Sequence, residues 1–265
     1  MRRVLMCPPD YFGIEYEINP WMSRSRPADP VAARRQWESL FDLLRGKLGL
    51  SISLLVPEKG APDLVFTANA GLVRGGIFIP SNFRHPERRG ESPIFRRWFE
   101  REGYEIRDLP QDLSFEGEGD VLAVGDDLFA GYHIRSDIRT HARIGELLDA
   151  RVLSVELADP RFYHLDTCFC PLAHDSAVYY PPAFDPYAAR VIRAHVPRTV
   201  EISAVEALRF ACNAVVVERN VVLNTGCGNL KSILLGMGYT VWETDLSEFI
   251  KAGGAAKCLM LFLTP

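Results

Sequence analysis

The chain has 265 residues, 48% of them hydrophobic and 24% charged, with 30 Lys and Arg against 34 Asp and Glu and a formal net charge of −4. This is an ordinary globular composition, long enough for one large domain or two small ones, and it has no basic surplus to suggest a nucleic-acid partner. The longest apolar runs, such as CLMLFL near the end, are too short to cross a bilayer, and MRRVLMCPPDYF at the start lacks the apolar core of a signal peptide. A cytoplasmic protein without a membrane partner is expected, with its six cysteines as free thiols.

In chain order, VLMCPP reads as a short strand stopped by Pro8 and Pro9. The aromatic, irregular stretch DYFGIEYEINPWM follows. Pro30 then opens a helix over residues 30–48, with Trp37, Leu40, Leu44 and Leu48 near helical spacing. LSISLLVP is the next strand. From here a unit recurs: hairpin, helix, strand. DLVFTANAGLV and IFIPSNF flank a turn at Arg74-Gly75-Gly76, and PIFRRWFERE and YEIRDLP complete the unit. FEGEGDVLAV and LFAGYHI flank Gly125-Asp126-Asp127, followed by RTHARIGELLDA and RVLSVEL. FYHLDTCFCPL and AVYYPP flank a turn near His174-Asp175, followed by DPYAARVIRAHV and RTVEIS. NAVVVE and VVLNTG flank Arg219-Asn220, followed by GNLKSILLGM and YTVWETDL.

The turns recur with a period of roughly 45–50 residues, in the range of repeat arrays. The first strand and the last, KCLMLFL, lack a complete unit. Paired with each other, they supply the hairpin of a fifth unit whose helix is residues 30–48. Closing a ring in this way removes free sheet edges. The expectation is an α/β fold, a five-bladed α/β propeller with pseudo-five-fold repeats closed by the N- and C-terminal strands, forming a single domain over 1–265. An open α/β sheet predicts simple strand–helix alternation and leaves the recurring hairpins unexplained.

In FYHLDTCFCPL the alternation predicts a strand with His164, Asp166, Cys168 and Cys170 on one face. Taken alone, His164 beside Asp166 reads as a buried imidazole satisfied by a carboxylate. The repeat changes that reading. Asn69 in FTAN, Glu116, Glu118 and Asp120 in FEGEGD, His164 and Asp166 in HLD, and Cys258 before the last strand occupy matching places in four units. All could face one axis. A thiol, an imidazole and several acids around one cavity fit a cysteine nucleophile with a histidine acid/base and an anionic pocket for a cationic small molecule. No metal site and no cofactor are predicted. Cys168-x-Cys170 has no second pair at zinc-like spacing, and His85, His133, His141, His174 and His195 are unpaired in sequence. NTGCGNLKS does not match a phosphate loop.

FTAN, FEGEGD, HLDT and GGAAKC, in this order along essentially the whole chain, resemble the guanidine-modifying enzymes of the amidinotransferase or pentein superfamily. That group includes arginine deiminase, dimethylarginine dimethylaminohydrolase and arginine dihydrolase. The resemblance implies the five-bladed fold, Cys258 as nucleophile, His164 as acid/base, and Glu116 and Asp166 gripping a guanidinium. It implies Arg135 and Arg88 for a substrate carboxylate, with Arg84 and Arg89 close enough in sequence to leave that second arginine open. It also implies Asn19 for a polar contact. Relatives of the deiminase and dimethylargininase kind carry Asp where this chain has Asn69. Asn69, INPWM and FYHLDTCFCPL together are similar to arginine dihydrolase, a hydrolase of the guanidinium carbon of L-arginine that yields ornithine, carbon dioxide and two ammonia. The alternatives implied are a dimethylargininase, a deiminase giving citrulline, an amidinotransferase, and a non-catalytic binding protein of the same fold. Oligomeric state is left open.

Overall fold

The computed structural model describes residues 2–263. The opening segment gives β1 (Arg3–Met6), α1 (Pro30–Gly46) and β2 (Ser51–Leu54). Next come β3 (Gly71–Arg74), β4 (Ile77–Pro80), α2 (Glu91–Arg101) and β5 (Glu105–Ile106). They are followed by β6 (Val121–Val124), β7 (Asp127–Tyr132), α3 (Arg139–Leu148) and β8 (Val152–Glu156), then β9 (Phe169–Ala173), β10 (Ser176–Tyr179), α4 (Pro186–His195) and β11 (Arg198–Glu201). After a short helix, α5 (Ala204–Ala207), come β12 (Val215–Val217), β13 (Asn220–Asn224), α6 (Gly228–Gly236) and β14 (Thr240–Thr244). A second short helix, α7 (Ser247–Ile250), precedes β15 (Leu261–Phe262).

Among the described residues these strands form five three-stranded sheets of one design. In four of them an antiparallel hairpin is followed, after a helix, by a third strand parallel to the second. A helix supplies the long crossover that a parallel pair requires. The remaining sheet joins the two ends of the chain. β15 runs antiparallel to β1 with Val4 opposite Phe262 and Leu5 opposite Leu261, and β1 runs parallel to β2. The expected pairing of first and last strands therefore forms.

Local chemistry accounts for the elements. Gly75 and Gly76 both have positive φ, 57° and 81°, at the β3–β4 turn, where a two-residue hairpin turn needs both left-handed conformations. Asp29 caps α1 by accepting hydrogen bonds from the Val31 and Ala32 amides, and Pro30 fills the first helical position. The same Asp-Pro start recurs at Asp185-Pro186 in α4. The buried stripe Trp37, Leu40 and Leu44 fixes α1 against the core, each side chain contributing about 1.5–3 kcal/mol. One cavity is lined by a strand from every sheet, with Leu72, Val121, Phe169, Val216 and Phe262 among its walls. Lys257 and Glu118 also line it, ion-paired at 2.9 Å. Among the described residues no helix is long and apolar enough to cross a membrane.

One expectation is corrected. The polar motifs do not lie within strands. FTAN forms a 3₁₀ turn at Thr67–Ala70, FEGEGD one at Gly117–Gly119 and HLDT one at Leu165–Thr167. Each strand begins only afterwards, at Gly71, Val121 and Phe169. His164 and Asp166 therefore do not share a face of one strand through two-residue alternation. The tight turn, closed by the Thr167 and Cys168 amides on the carbonyls of His164 and Leu165, sets their directions.

Candidate active site

Every sheet is entered through a polar turn or loop. Asn69 precedes β3, Glu116 and Glu118 precede β6, His164 and Asp166 precede β9, Asn213 precedes β12 and Cys258 precedes β15. All of these side chains are buried. Direct links hold the turns together. The Ala68 amide donates to the Cys258 carbonyl at 3.1 Å, joining FTAN to the Cys258 turn. Ser136 Oγ donates to Asp120 Oδ2 at 2.6 Å and accepts from the Glu116 amide at 3.1 Å, and Asp120 Oδ1 accepts from the Leu165 amide at 3.2 Å. Asp120 thus ties the second motif to the third, and its burial pushes its carboxyl well above the usual range.

The Cys258 thiol meets two side chains. Its Sγ lies 3.3 Å from Asp166 Oδ2, and Asn213 Nδ2 donates to it at 3.0 Å. Burial, and then the Asp166 carboxylate beside it, push the thiol well above its ordinary value. Asp166 Oδ1 is buried with no hydrogen-bond partner. Burial raises the Asp166 carboxyl to about 6, against the pull of Lys257, Cys258 and Asn213.

His164 turns elsewhere. Its Nε2 is 2.7 Å from Glu116 Oε2, and the thiol is not its partner. Burial lowers His164 to about 4 even with Glu116 attached, so the ring is neutral at pH 7. Glu116 is the ionised member. Burial alone would raise it, but Arg135 and then His164 hold it well below the usual carboxylate range. Both of its oxygens are engaged: Oε1 accepts from the Arg84 amide at 3.2 Å, and Oε2 accepts from Arg135 Nη1 at 3.0 Å as well as meeting His164. Gly119 permits the crowding. A Cβ there would stand 2.3 Å from Asn69 Nδ2 and 3.3 Å from the His164 ring.

The structure separates the three neighbouring arginines. Arg88 lines the pocket that Cys258 borders, whereas Arg89 donates outward to the carbonyls of Phe83 and Arg84. Arg88 is clamped by Glu91 in a paired contact at 2.9 and 2.8 Å, donates to Asn69 Oδ1 at 2.9 Å, and stacks on Phe83. Asn69 Nδ2 in turn donates to the Glu116 carbonyl at 3.3 Å. Arg135 stacks on Tyr163 with its guanidinium 4.5 Å from the ring centre, and also donates to the Ile18 carbonyl at 2.9 Å. Asn19 accepts from the Trp21 and Met22 amides and donates to the Ala252 carbonyl, fastening INPWM to the loop that leads to Cys258.

The eight residues to which the resemblance assigns roles come to one place. Seven of them border the Cys258 pocket or reach it through a direct hydrogen bond, and His164 joins through Glu116. Two were missed. Asp63 lines the same pocket, fully buried, 3.8 Å from Arg88, with Oδ1 unpartnered. Its signal was an acid at the head of DLVFTAN. Asn213 was visible as the polar residue that opens NAVVVE, in the one repeat to which no site residue had been assigned. Among the described residues no group of three or more His, Cys, Asp or Glu side chains is placed to share a metal ion. The site is therefore a buried thiol, a separate carboxylate–imidazole pair, and a pocket with charged walls of both signs. Its unpartnered carboxylate oxygens suit donor-rich cationic groups.

Comparison with known proteins agrees with this geometry. The chain is 49% identical, over 99% of its length, to a bifunctional arginine dihydrolase/ornithine cyclodeaminase of Nostoc, AgrE. It is 40% identical over its whole length to the dimethylarginine dimethylaminohydrolase of Mycobacterium tuberculosis, covering 86% of that protein. Among solved structures it superposes with a TM-score of 0.96 and 46% identity on the N-terminal domain of ArgZ, a cyanobacterial arginine dihydrolase solved as a cysteine-to-serine mutant bound to substrate, covering 100% of this chain and 98% of that one. No family model matches the chain. It belongs to the guanidine-modifying, or amidinotransferase (pentein), superfamily, in the branch that holds the arginine dihydrolases and dimethylarginine dimethylaminohydrolases. It spans 38% of the length of the bifunctional relatives it matches.

Proposed function

We propose that this chain is a single catalytic domain, a five-bladed α/β propeller, that hydrolyses the guanidinium carbon of L-arginine through a covalent Cys258 intermediate. The propeller reading is supported by five sheets of one design and by a cavity lined with a strand from each. Free buried thiols suit a reducing compartment, and the cytoplasm is the location we infer.

The observation that carries the function is the Cys258 sulfur held against a buried carboxylate with one oxygen unpartnered. A guanidinium presents paired N–H donors to such a carboxylate. Bound on Asp166, it brings its carbon to Sγ and its charge to the thiol, whose ionisation it favours. The thiolate attacks, a carbon–sulfur bond forms, and a carbon–nitrogen bond breaks. The proton released from the thiol is the one His164 delivers to the departing nitrogen, with Glu116 supporting the transient imidazolium. Water then attacks the intermediate, His164 takes its proton, and the thiol is restored.

Glu116 reaches the substrate by exchange. The incoming guanidinium replaces that of Arg135 on Oε2, and Arg135, so released, joins Arg88 on the substrate carboxylate. Asp63 Oδ1 suits the substrate ammonium. Asn19 shapes this end of the pocket.

The first round yields a ureido product and one ammonia. Asn69 favours a second round. An amide offers both donor and acceptor to a neutral ureido group, where an aspartate offers only acceptors. Water and the same thiol then give ornithine, carbon dioxide and a second ammonia. The 46% identity to a dihydrolase domain of the same length supports this outcome. The relative with 86% coverage favours a second reading, a dimethylargininase. The test is the ammonia stoichiometry with arginine, with the amino-acid product identified. Two ammonia per ornithine are expected. Citrulline with one ammonia overturns the dihydrolase, and dimethylamine from dimethylarginine with no turnover of arginine selects the second reading.

A further inference from the structure

Asn213 is fully buried and enters neither the pocket lining nor the mechanism above, yet it meets more of the nucleophile turn than any other side chain. Its Oδ1 accepts from the Ala255 amide at 3.0 Å and from the Cys258 amide at 3.2 Å. Its Nδ2 donates to the Asp166 carbonyl at 3.1 Å and to Cys258 Sγ at 3.0 Å. Its own carbonyl accepts from the Lys257 amide at 3.2 Å. Asn213 therefore fixes the backbone leading into and at the nucleophile, joins it to the HLDT turn, and directs an N–H to the sulfur.

We propose that Asn213 is the positioning residue of the nucleophile, its Nδ2–H holding Sγ in line for attack and stabilising the thiolate once the proton has left. The electrostatics require such a donor. The other side chain at the sulfur is Asp166, whose negative charge opposes ionisation. Lys257, the nearest buried cation in sequence, is turned to Glu118. A neutral amide adds a donor to the sulfur without adding a charge that would repel a cationic substrate. The inference rests on Cys258 being the nucleophile but not on arginine being the substrate.

The test is the pH dependence of Cys258 alkylation by iodoacetamide in the full chain, read by mass spectrometry at that residue, for wild type, Asn213→Asp and Asn213→Ala. The aspartate keeps the Oδ1 acceptor for the two backbone amides and, when ionised, replaces the donor at the sulfur with a negative charge. Asn213→Asp is expected to slow alkylation at pH 7.5 by about tenfold or more and to move its midpoint upward. kcat for the substrate turned over should fall by a similar factor, with KM changed less than about twofold, because Asn213 does not line the pocket. Asn213→Ala, which removes the donor without adding a charge, should move the midpoint upward by less, with an added loss of thermal stability. An unchanged midpoint in either folded variant overturns the proposal. If neither variant folds, the side-chain amide resonances of Asn213 in the wild type decide the matter. They must shift as Cys258 ionises and stay still in Cys258→Ser, and a wild-type signal that ignores the titration overturns it. Alkylation needs no substrate, so failure of the arginine reading leaves this result intact.

Discussion

The interior has two polar-to-apolar extremes, and they are built differently. The cavity lined by β3, β6, β9, β12 and β15 has mostly aliphatic and aromatic walls, supplied by regular strands whose alternate side chains are fixed by the pleat. The Cys258 pocket lies among turns and loops: Asn69, Tyr163 and Cys258 from segments that precede those strands line it, and Glu116 and Asp166 reach it through hydrogen bonds. The same five chain segments thus give a packed wall along their strands and a chemical site at their entries. Regular backbone repeats the same environment, whereas a turn lets each segment contribute a different side chain. In that position one segment supplies Asn69, another Glu116, a third His164 and Asp166, a fourth Asn213 and the last Cys258.

Breaking the turn side should abolish chemistry with little effect on the fold. Cys258→Ser is expected to lower kcat by about 10⁴-fold or more, because no other side chain at the site can form the covalent bond. Unchanged far-ultraviolet circular dichroism would show that only the chemistry was lost. Asp166→Asn should lower kcat/KM by about 10²–10³-fold while stabilising the protein at high pH. The Asp166 carboxyl is raised from 3.8 unfolded to about 6 folded. Its contribution to stability is therefore full below pH 3.8 and lost as pH rises through about 6. Removing the charge should recover up to about 3 kcal/mol at pH 8 and nothing at pH 3, read by denaturant melts at both values.

Gly119→Ala sharpens the comparison within the turns. Its new Cβ falls 2.3 Å from Asn69 Nδ2, so Asn69 must swing away and the His164 ring, 3.3 Å from the same point, must give slightly. A loss of about 10² in kcat is expected, the scale of a displacement near 1 Å at a reacting group. The smallest effect on activity belongs to the strand side. Leu122→Ala, in a buried wall of the apolar cavity, should cost about 2 kcal/mol of stability and leave kcat and KM unchanged. If it alters kcat as much as Gly119→Ala does, the two regions are not separable.

Much of this was legible in the chain. Turns at a steady period, two of them marked by glycine, gave the sheets, and the polar residues standing out in apolar surroundings gave Cys258, His164, Glu116, Asp166 and Asn69. The local conformation of those residues was not legible. A 3₁₀ turn of three or four residues has no periodicity of its own, and HLDTCFC imitates a strand because its polar residues happen to alternate. Partner choice was also hidden. Nothing in the sequence near Glu116 says that its oxygens meet Arg135, from the far end of its own hairpin, and His164, from the next unit. Arg84, Arg88 and Arg89 are equivalent by sequence distance, and only the paired clamp from Glu91 turns Arg88 inward. Asp63 was hidden for the opposite reason: an acid just before an apolar run looks like a solvated turn, but here it is buried.

The pairing of β15 with β1 has a consequence for the order of assembly. Cys258 is followed closely by β15, and β15 docks on the earliest strand of the described chain. On a ribosome, β1 waits with one edge unpaired until almost every other described residue has emerged. The Cys258 loop, which lies just before that last strand, is also among the last described residues to emerge. Contacts of such long sequence separation form late and slowly. A growing chain therefore completes its fifth sheet, and the loop that carries Cys258, after the other four sheets have had time to form.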